Sequence, residues 1–139
     1  MSITHLHPML VHFPIALALT ALLFDLGAYY FKKEWFNKTA ISLTVLATLG
    51  AIAALLSGFF LTKPVAGLAA VLKEEHTLYA VISTCLLIIS SLIGLIALLK
   101  QKDQIRLKYA FTVSLILVAI GISLTGMIGG SIVYDVWLF

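Results

Sequence analysis

Charged residues are scarce in this sequence. Asp, Glu, Lys and Arg together make up 11% of the 139 residues, whereas hydrophobic residues make up 62%. A soluble domain carries roughly a quarter charged residues, because it must cover its surface with polar side chains. The composition therefore excludes an ordinary soluble domain and favours a protein that lies in the lipid bilayer.

Cysteine is nearly absent, and the common catalytic motifs are missing. The single cysteine, Cys85, excludes an internal disulfide and a CxxC motif. The sequence contains no glycine-rich phosphate loop, no GxSxG elbow and no HExxH motif. It also has no basic face interleaved with aromatic residues, so we expect no nucleic-acid partner. An electron-transfer or structural role is therefore favoured over enzymatic turnover.

Four long apolar runs account for the hydrophobic excess. Each run exceeds the ~20 residues that a helix needs to cross a hydrocarbon layer, and none shows the alternation of barrel strands. The links between them are short, so successive helices run antiparallel. The sequence predicts an all-α integral membrane protein, a single domain over 1–139 that forms an up-down four-helix bundle. The predicted spans are about 9–31, 40–61, 77–99 and 109–134.

Lysine and arginine are distributed unequally between the two ends of this bundle. The links after the first and third spans contain seven of the nine basic residues, namely Lys32, Lys33, Lys38, Lys100, Lys102, Arg106 and Lys108. The positive-inside rule predicts that these links are cytoplasmic. Both termini and the link after the second span are then expected on the outer, periplasmic or extracellular, side.

All four histidines fall on this outer side. His5, His7 and His12 flank the start of the first span, and His76 begins the third. The first and third helices of an up-down bundle stand diagonally across its core, so we expect His12 and His76 to face each other. Tyr79 shares the helix face of His76 and could orient its ring. Two histidines on opposing helices are a common ligand set for b-type haem.

Small residues lie at the same depth as these histidines. Gly58 ends a stripe of small side chains in the second span, and Gly126, Gly129 and Gly130 belong to the fourth. They would leave room for haem b beside His12, His76 and Tyr79. Three other interpretations stay open. The histidines could be structural, with His5 and His7 at the membrane interface, His12 bonded to a backbone carbonyl and His76 as the first exposed residue of the third span. The Gly126–Gly130 pair forms a GxxxG motif, which favours helix packing, assembly or a homo-oligomer. His5, His7, His12 and His76 could also ligate copper or zinc.

Asp25 is the ionisable residue at the opposite end of the first span. It follows His12 by thirteen residues, which places it on nearly the opposite helix face and roughly 20 Å away along the axis. The two residues therefore cannot share one site. We expect Asp25 to pair with a lysine of the cytoplasmic links, with a proton or ion role as the alternative.

The histidine-rich opening resembles a bacterial membrane-protein family, domain of unknown function 2231 (DUF2231). Its members typically begin HPxLVHFP, carry a histidine before the third span and end in GGxLVY. The corresponding segments here are 7–14, His76 and 129–134. The likeness covers the whole chain and implies a multi-pass protein of the bacterial cytoplasmic (inner) membrane.

The same resemblance implies a redox setting. Relatives look to be joined to cytochrome c-like or Rieske-type domains, which implies a redox partner of that kind, or quinone, outside the membrane. Many relatives follow the last tyrosine with His-Gly, whereas this chain reads Tyr134-Asp135. If that histidine is a ligand in relatives, this chain either lacks the site or uses its other histidines.

Overall fold

The computed structural model consists of four long α-helices, and it describes residues 6–62, 66–100 and 105–132. Helix α1 spans Leu6–Phe31, α2 Glu34–Leu61, α3 Leu68–Leu99 and α4 Ile105–Ser131. All four are long and apolar enough to cross a membrane. This confirms the predicted all-α membrane fold with four spanning helices.

The helices begin earlier than the apolar runs of the sequence. α2 starts at Glu34 and α3 at Leu68, so the polar segment before His76 is helical. Gly67 directly precedes α3 and has a positive φ of 66°. Glycine adopts this backbone conformation without strain. Hydropathy marks where the chain crosses lipid, whereas backbone geometry decides where a helix begins. The two boundaries therefore differ by up to about two and a half turns, at the start of α3.

Each helix packs against two neighbours around the bundle. α1 contacts α2 and α4, and α3 contacts α2 and α4, so α1 and α3 are diagonal. The core combines small side chains of α1 and α2 with larger ones of α3 and α4. One cluster comprises Ala18, Ala47, Ala51, Leu87, Val118 and Ile122. The other comprises Ala21, Ala40, Ile41, Phe111 and Leu115. The alanines let α1 and α2 approach closely, as small residues do in membrane bundles.

The two ends of the bundle differ in chemistry. The α1–α2 turn carries stacked and exposed aromatic side chains, with Trp35 lying 4.0 Å from Phe36 between ring centres. Amphipathic aromatic residues favour the membrane–water interface, so this turn matches an interfacial position. The opposite end brings together the start of α1, the end of α2, the start of α3 and the end of α4. This second end contains the described histidines.

Candidate functional site

One face of α1 is buried along the whole helix. Pro14, Ala18, Ala21 and Asp25 are buried on it. His7 precedes Asp25 by eighteen residues, which is five full turns at 3.6 residues per turn, so it lies on the same face. The half-buried His7 ring therefore points into the bundle at the end where α1 begins.

The His7 ring is anchored by the last turns of α2. Its Nδ1 lies 2.8 Å from the Ser57 hydroxyl and 3.1 Å from the Ala54 carbonyl oxygen. The Ser57 hydroxyl donates its own proton to the Ala54 carbonyl at 2.7 Å, so its oxygen accepts from His7. These contacts place the proton of a neutral His7 on Nδ1.

The His76 ring is anchored in the same way by α4. Its Nδ1 lies 3.0 Å from the Thr125 carbonyl oxygen, which can only accept, so Nδ1 donates. The Thr125 hydroxyl donates to the Gly121 carbonyl at 2.8 Å and lies 3.3 Å from the Ser83 hydroxyl. His76 is thus tied into a polar layer between α3 and α4.

The two anchored rings form a pair across the diagonal of the bundle. Their centroids are 6.4 Å apart and their planes are nearly perpendicular, at 87°. With each Nδ1 donating to the protein, each Nε2 retains its lone pair and has no hydrogen-bond partner among the described residues. Metal-ligating histidines commonly show this arrangement, because the bond at one nitrogen fixes the tautomer of the other.

Two glycines lie directly against the paired rings. A Cβ added at Gly58 would lie 3.1 Å from His7 Cε1, and one added at Gly129 would lie 3.0 Å from His76 Cε1. Any larger residue at either position would press on an imidazole. Gly58 also lines an open groove of about 840 Å³ beside α2 and α3. The groove therefore reaches Gly58, the glycine that lies against the His7 ring.

The structure does not bring all the predicted site residues together. His7, His76, Gly58 and Gly129 meet in the pair described above. His12 is exposed on the outside of α1, where its Nδ1 donates to the Pro8 carbonyl one turn earlier at 2.6 Å. His76 is anchored by Thr125 and not by Tyr79, which is partly exposed. An added Cβ at Gly126 or Gly130 would meet no atom within 4 Å. His5 lies outside the described residues.

The described part of the chain offers two protein ligands at this end. No group of three or more His, Cys, Asp or Glu side chains within the described residues could hold a metal ion. Cys85 is exposed on α3 and takes no part in the pair. The arrangement therefore leaves one imidazole lone pair on each of His7 and His76 at this end of the bundle.

The family model of a predicted membrane protein, DUF2231, matches residues 4–138. The chain belongs to this family. The match covers all four helices and both paired histidines of this DUF2231 protein. No curated protein and no solved structure matches the chain.

Proposed function

We propose that this protein binds haem b through His7 and His76 and transfers electrons within the membrane. The observation that carries the proposal is the diagonal histidine pair, in which each Nδ1 is bonded to the protein and each Nε2 retains its lone pair. His7 replaces His12 as the expected partner of His76, because His12 lies on the outside of α1.

The separation of the rings supports a shared metal. If one bound group accepted both Nε2 lone pairs through bonds of about 2.0 Å, the two ring centres would lie roughly 6 Å apart. The His7 and His76 centroids are 6.4 Å apart. His7 of α1 and His76 of α3 would hold the group from two different helices.

The number of ligands favours haem over an isolated metal ion. A zinc or copper site needs three or four protein ligands, whereas the porphyrin itself supplies four nitrogens to iron. The described residues contribute two imidazoles at this end and no larger ligand cluster. Two histidines are enough for a haem iron that exchanges one electron with both axial positions filled.

Small residues and an open groove lie next to the pair, and neither histidine lines the groove itself. The groove beside Gly58 has a volume of about 840 Å³, within the roughly 300–1,000 Å³ of common cofactor pockets. Gly58 and Gly129 keep the space next to the imidazoles free of side chains.

The position of the pair suggests its redox partners. It lies at the end of the bundle opposite the basic links, which the positive-inside rule predicts to be the outer side. Electrons would then pass between quinone in the bilayer and a cytochrome c-like or Rieske-type partner outside. His7 and His76 would set the reduction potential through axial ligation and through their bonds to Ser57 and Thr125.

Visible absorption spectroscopy of the detergent-purified protein, oxidised and dithionite-reduced, tests this proposal. After expression with ample haem supply, we expect a Soret band and α/β bands that sharpen on reduction. His7→Ala and His76→Ala should each lose these bands, because either change removes an axial ligand. Circular dichroism should show whether the variants retain their helices.

His12→Ala is the matched control for the histidine variants. It removes a neighbouring imidazole that is exposed and bonded only within α1, so its spectrum should equal that of the unchanged protein. A featureless spectrum of the folded protein would contradict the proposal. Loss of haem on changing His12, with no loss on changing His7 or His76, would also contradict it. Stoichiometric copper or zinc in place of haem would instead support the metal interpretation.

A further inference from the structure

Asp25 is buried in the bundle at the end opposite the histidines. It lies on the core face of α1, and its relative exposure is 1%. A carboxyl group at membrane depth is costly unless it is bonded to partners, and such groups commonly mark ion or proton sites. The pair formed by His7 and His76 cannot use Asp25, since five helical turns, about 27 Å, separate it from His7.

Neutral side chains from two other helices hold the Asp25 carboxyl group. The Thr112 hydroxyl of α4 donates to Oδ2 at 2.6 Å. The Asn37 amide of α2 lies 3.5 Å from Oδ1. These partners replace the lysine expected from the sequence, and the salt bridge between described residues at this end joins Lys38 to Glu34 on the surface of α2.

A chain of hydroxyl groups connects Asp25 with the protein surface. The Tyr29 hydroxyl lies 2.9 Å from the Thr112 hydroxyl, which in turn contacts Asp25. Tyr29 is 40% exposed and stacks on Tyr109 with 6.0 Å between ring centres. An exposed phenol, a hydroxyl and a buried carboxyl group thus form one continuous hydrogen-bonded chain.

We propose that Asp25 is a proton-binding site that fills and empties through Thr112 and Tyr29. A hydronium ion at the surface gives a proton to the Tyr29 oxygen and becomes water, the Tyr29 hydroxyl proton passes to the Thr112 oxygen, and the Thr112 proton passes to Asp25 Oδ2. One O–H bond breaks and one forms at each hydroxyl, so the net change is one proton gained by the carboxylate. Release follows the same steps in reverse.

Both protonation states of Asp25 find hydrogen-bond partners in this arrangement. The Thr112 hydroxyl also lies 3.1 Å from the Lys108 carbonyl oxygen. When Asp25 is ionised, Thr112 donates to it. When Asp25 is protonated, its O–H can donate to Thr112, whose own proton then turns to the Lys108 carbonyl. The Lys108 carbonyl is the usual acceptor, four residues earlier, for the hydroxyl of a helical threonine, so it is in place for the Thr112 proton when Asp25 is protonated.

The partners favour a proton over a metal cation. A cation site needs several oxygen lone pairs directed at one point. Thr112 and Asn37 instead direct hydrogens at the carboxyl oxygens. The titratable and charged groups packed nearby are Tyr29 on α1, Lys108 and Tyr109 on α4, and the Lys38–Glu34 pair on α2.

Infrared difference spectroscopy in lipid nanodiscs tests the proposal. Lowering the pH should produce a carboxylic-acid C=O band in the unchanged protein, and Asp25→Asn should abolish it. Glu34→Gln, which removes an exposed carboxylate at the same end, should leave the band in place. Thr112→Val should shift the band because the hydrogen bond to Oδ2 is lost, and Thr112→Ser should restore its position.

The proposed route has a separate readout. After transfer to D₂O, Tyr29→Phe should slow deuterium exchange of the protonated carboxyl group by about tenfold or more, since it removes the surface hydroxyl of the chain. If Asp25→Asn does not fold, ¹³C-aspartate labelling of a chain carrying Asp103→Asn and Asp135→Asn leaves Asp25 as the sole labelled aspartate. A labelled carboxyl band that is constant between acid and alkaline pH would overturn the proposal. A band that responds to Na⁺ and not to pH would also overturn it.

Discussion

Gly126 and Gly129 have different surroundings, although only three residues separate them on α4. A Cβ at Gly129 would lie 3.0 Å from Cε1 and 3.2 Å from Nδ1 of His76, whereas a Cβ at Gly126 would meet no atom within 4 Å. The His76 ring has little freedom to move away, because its Nδ1 is bonded to the Thr125 carbonyl. Gly129 is therefore part of the site, and Gly126 lies on the outer surface of the helix.

We predict that Gly129→Ala lowers the free energy of unfolding by about 1–3 kcal/mol, as overpacking of a tight contact does. Gly126→Ala should be neutral or stabilising by up to about 1 kcal/mol, because alanine favours the helix and the space is open. Unfolding in mixed detergent micelles, followed by circular dichroism, measures both variants. Equal destabilisation of the two would show that His76 does not occupy the position described.

The identity of the paired histidines shows where prediction from sequence stopped. A histidine of the first helix was expected to meet His76, and His12 was the one expected. The structure starts α1 at Leu6, so His7 is already helical and lies five turns from Asp25 on the buried face. The eighteen-residue spacing was present in the sequence. Nothing in the sequence indicated that α1 begins at Leu6, before the apolar run.

The anchors of the rings could not be predicted in the same way. Ser57 and the Thr125 carbonyl reach the rings only after α2 and α4 have taken their register against α1 and α3. Serine and threonine are frequent in all four spans, and most of them donate to a carbonyl of their own helix. Sequence spacing gives no sign of which hydroxyl turns to a neighbouring helix.

At the level of helices, a buried hydroxyl pair joins α2 to α3. The Thr48 hydroxyl lies 2.8 Å from the Ser91 hydroxyl and 3.2 Å from the Leu87 carbonyl oxygen. These contacts lie in a layer without charged side chains, midway along α2. Hydrogen bonds between membrane helices contribute modestly, since the separated helices also find partners.

We predict that Thr48→Val, which keeps the shape but removes the hydroxyl, costs about 1 kcal/mol of stability. Ser123→Ala is the control, because the exposed Ser123 bonds only to the Ala119 carbonyl of its own helix. Its stability should change by less than about 0.5 kcal/mol. Unfolding in mixed detergent micelles, followed by circular dichroism, measures the stability of both variants. If Ser123→Ala proved the more harmful change, α2 and α3 would not be joined through Thr48.

The four apolar runs were enough to predict the number and order of the helices, and the reason is physical. The bilayer accepts only helices with every backbone group bonded, and each apolar run exceeded the required length. The first turns of α2 and α3 were missed because they contain charged residues such as Glu34, Lys73 and Glu74. Charged side chains keep these turns out of the hydrocarbon layer, but they do not prevent the backbone from being helical.

On the scale of the whole molecule, the bundle carries a different polar site at each end. The histidine pair lies where α1 and α3 begin, and Asp25 lies near the turn between α1 and α2. Which site faces which compartment depends on orientation, and the uneven distribution of lysine and arginine predicts that the basic links are cytoplasmic. Haem ligation would then take place on the outer side and proton binding on the inner side.

Cysteine labelling with a membrane-impermeant maleimide tests this orientation. In a Cys85→Ser background, Glu74→Cys and Lys33→Cys each place one thiol at an exposed position at opposite ends of the bundle. We expect Glu74→Cys to react in intact cells and Lys33→Cys to react only after permeabilisation. The reverse pattern would place the histidine pair on the cytoplasmic side. It would exclude an outer cytochrome c-like or Rieske-type partner while leaving haem binding by His7 and His76 to be decided by its own spectrum.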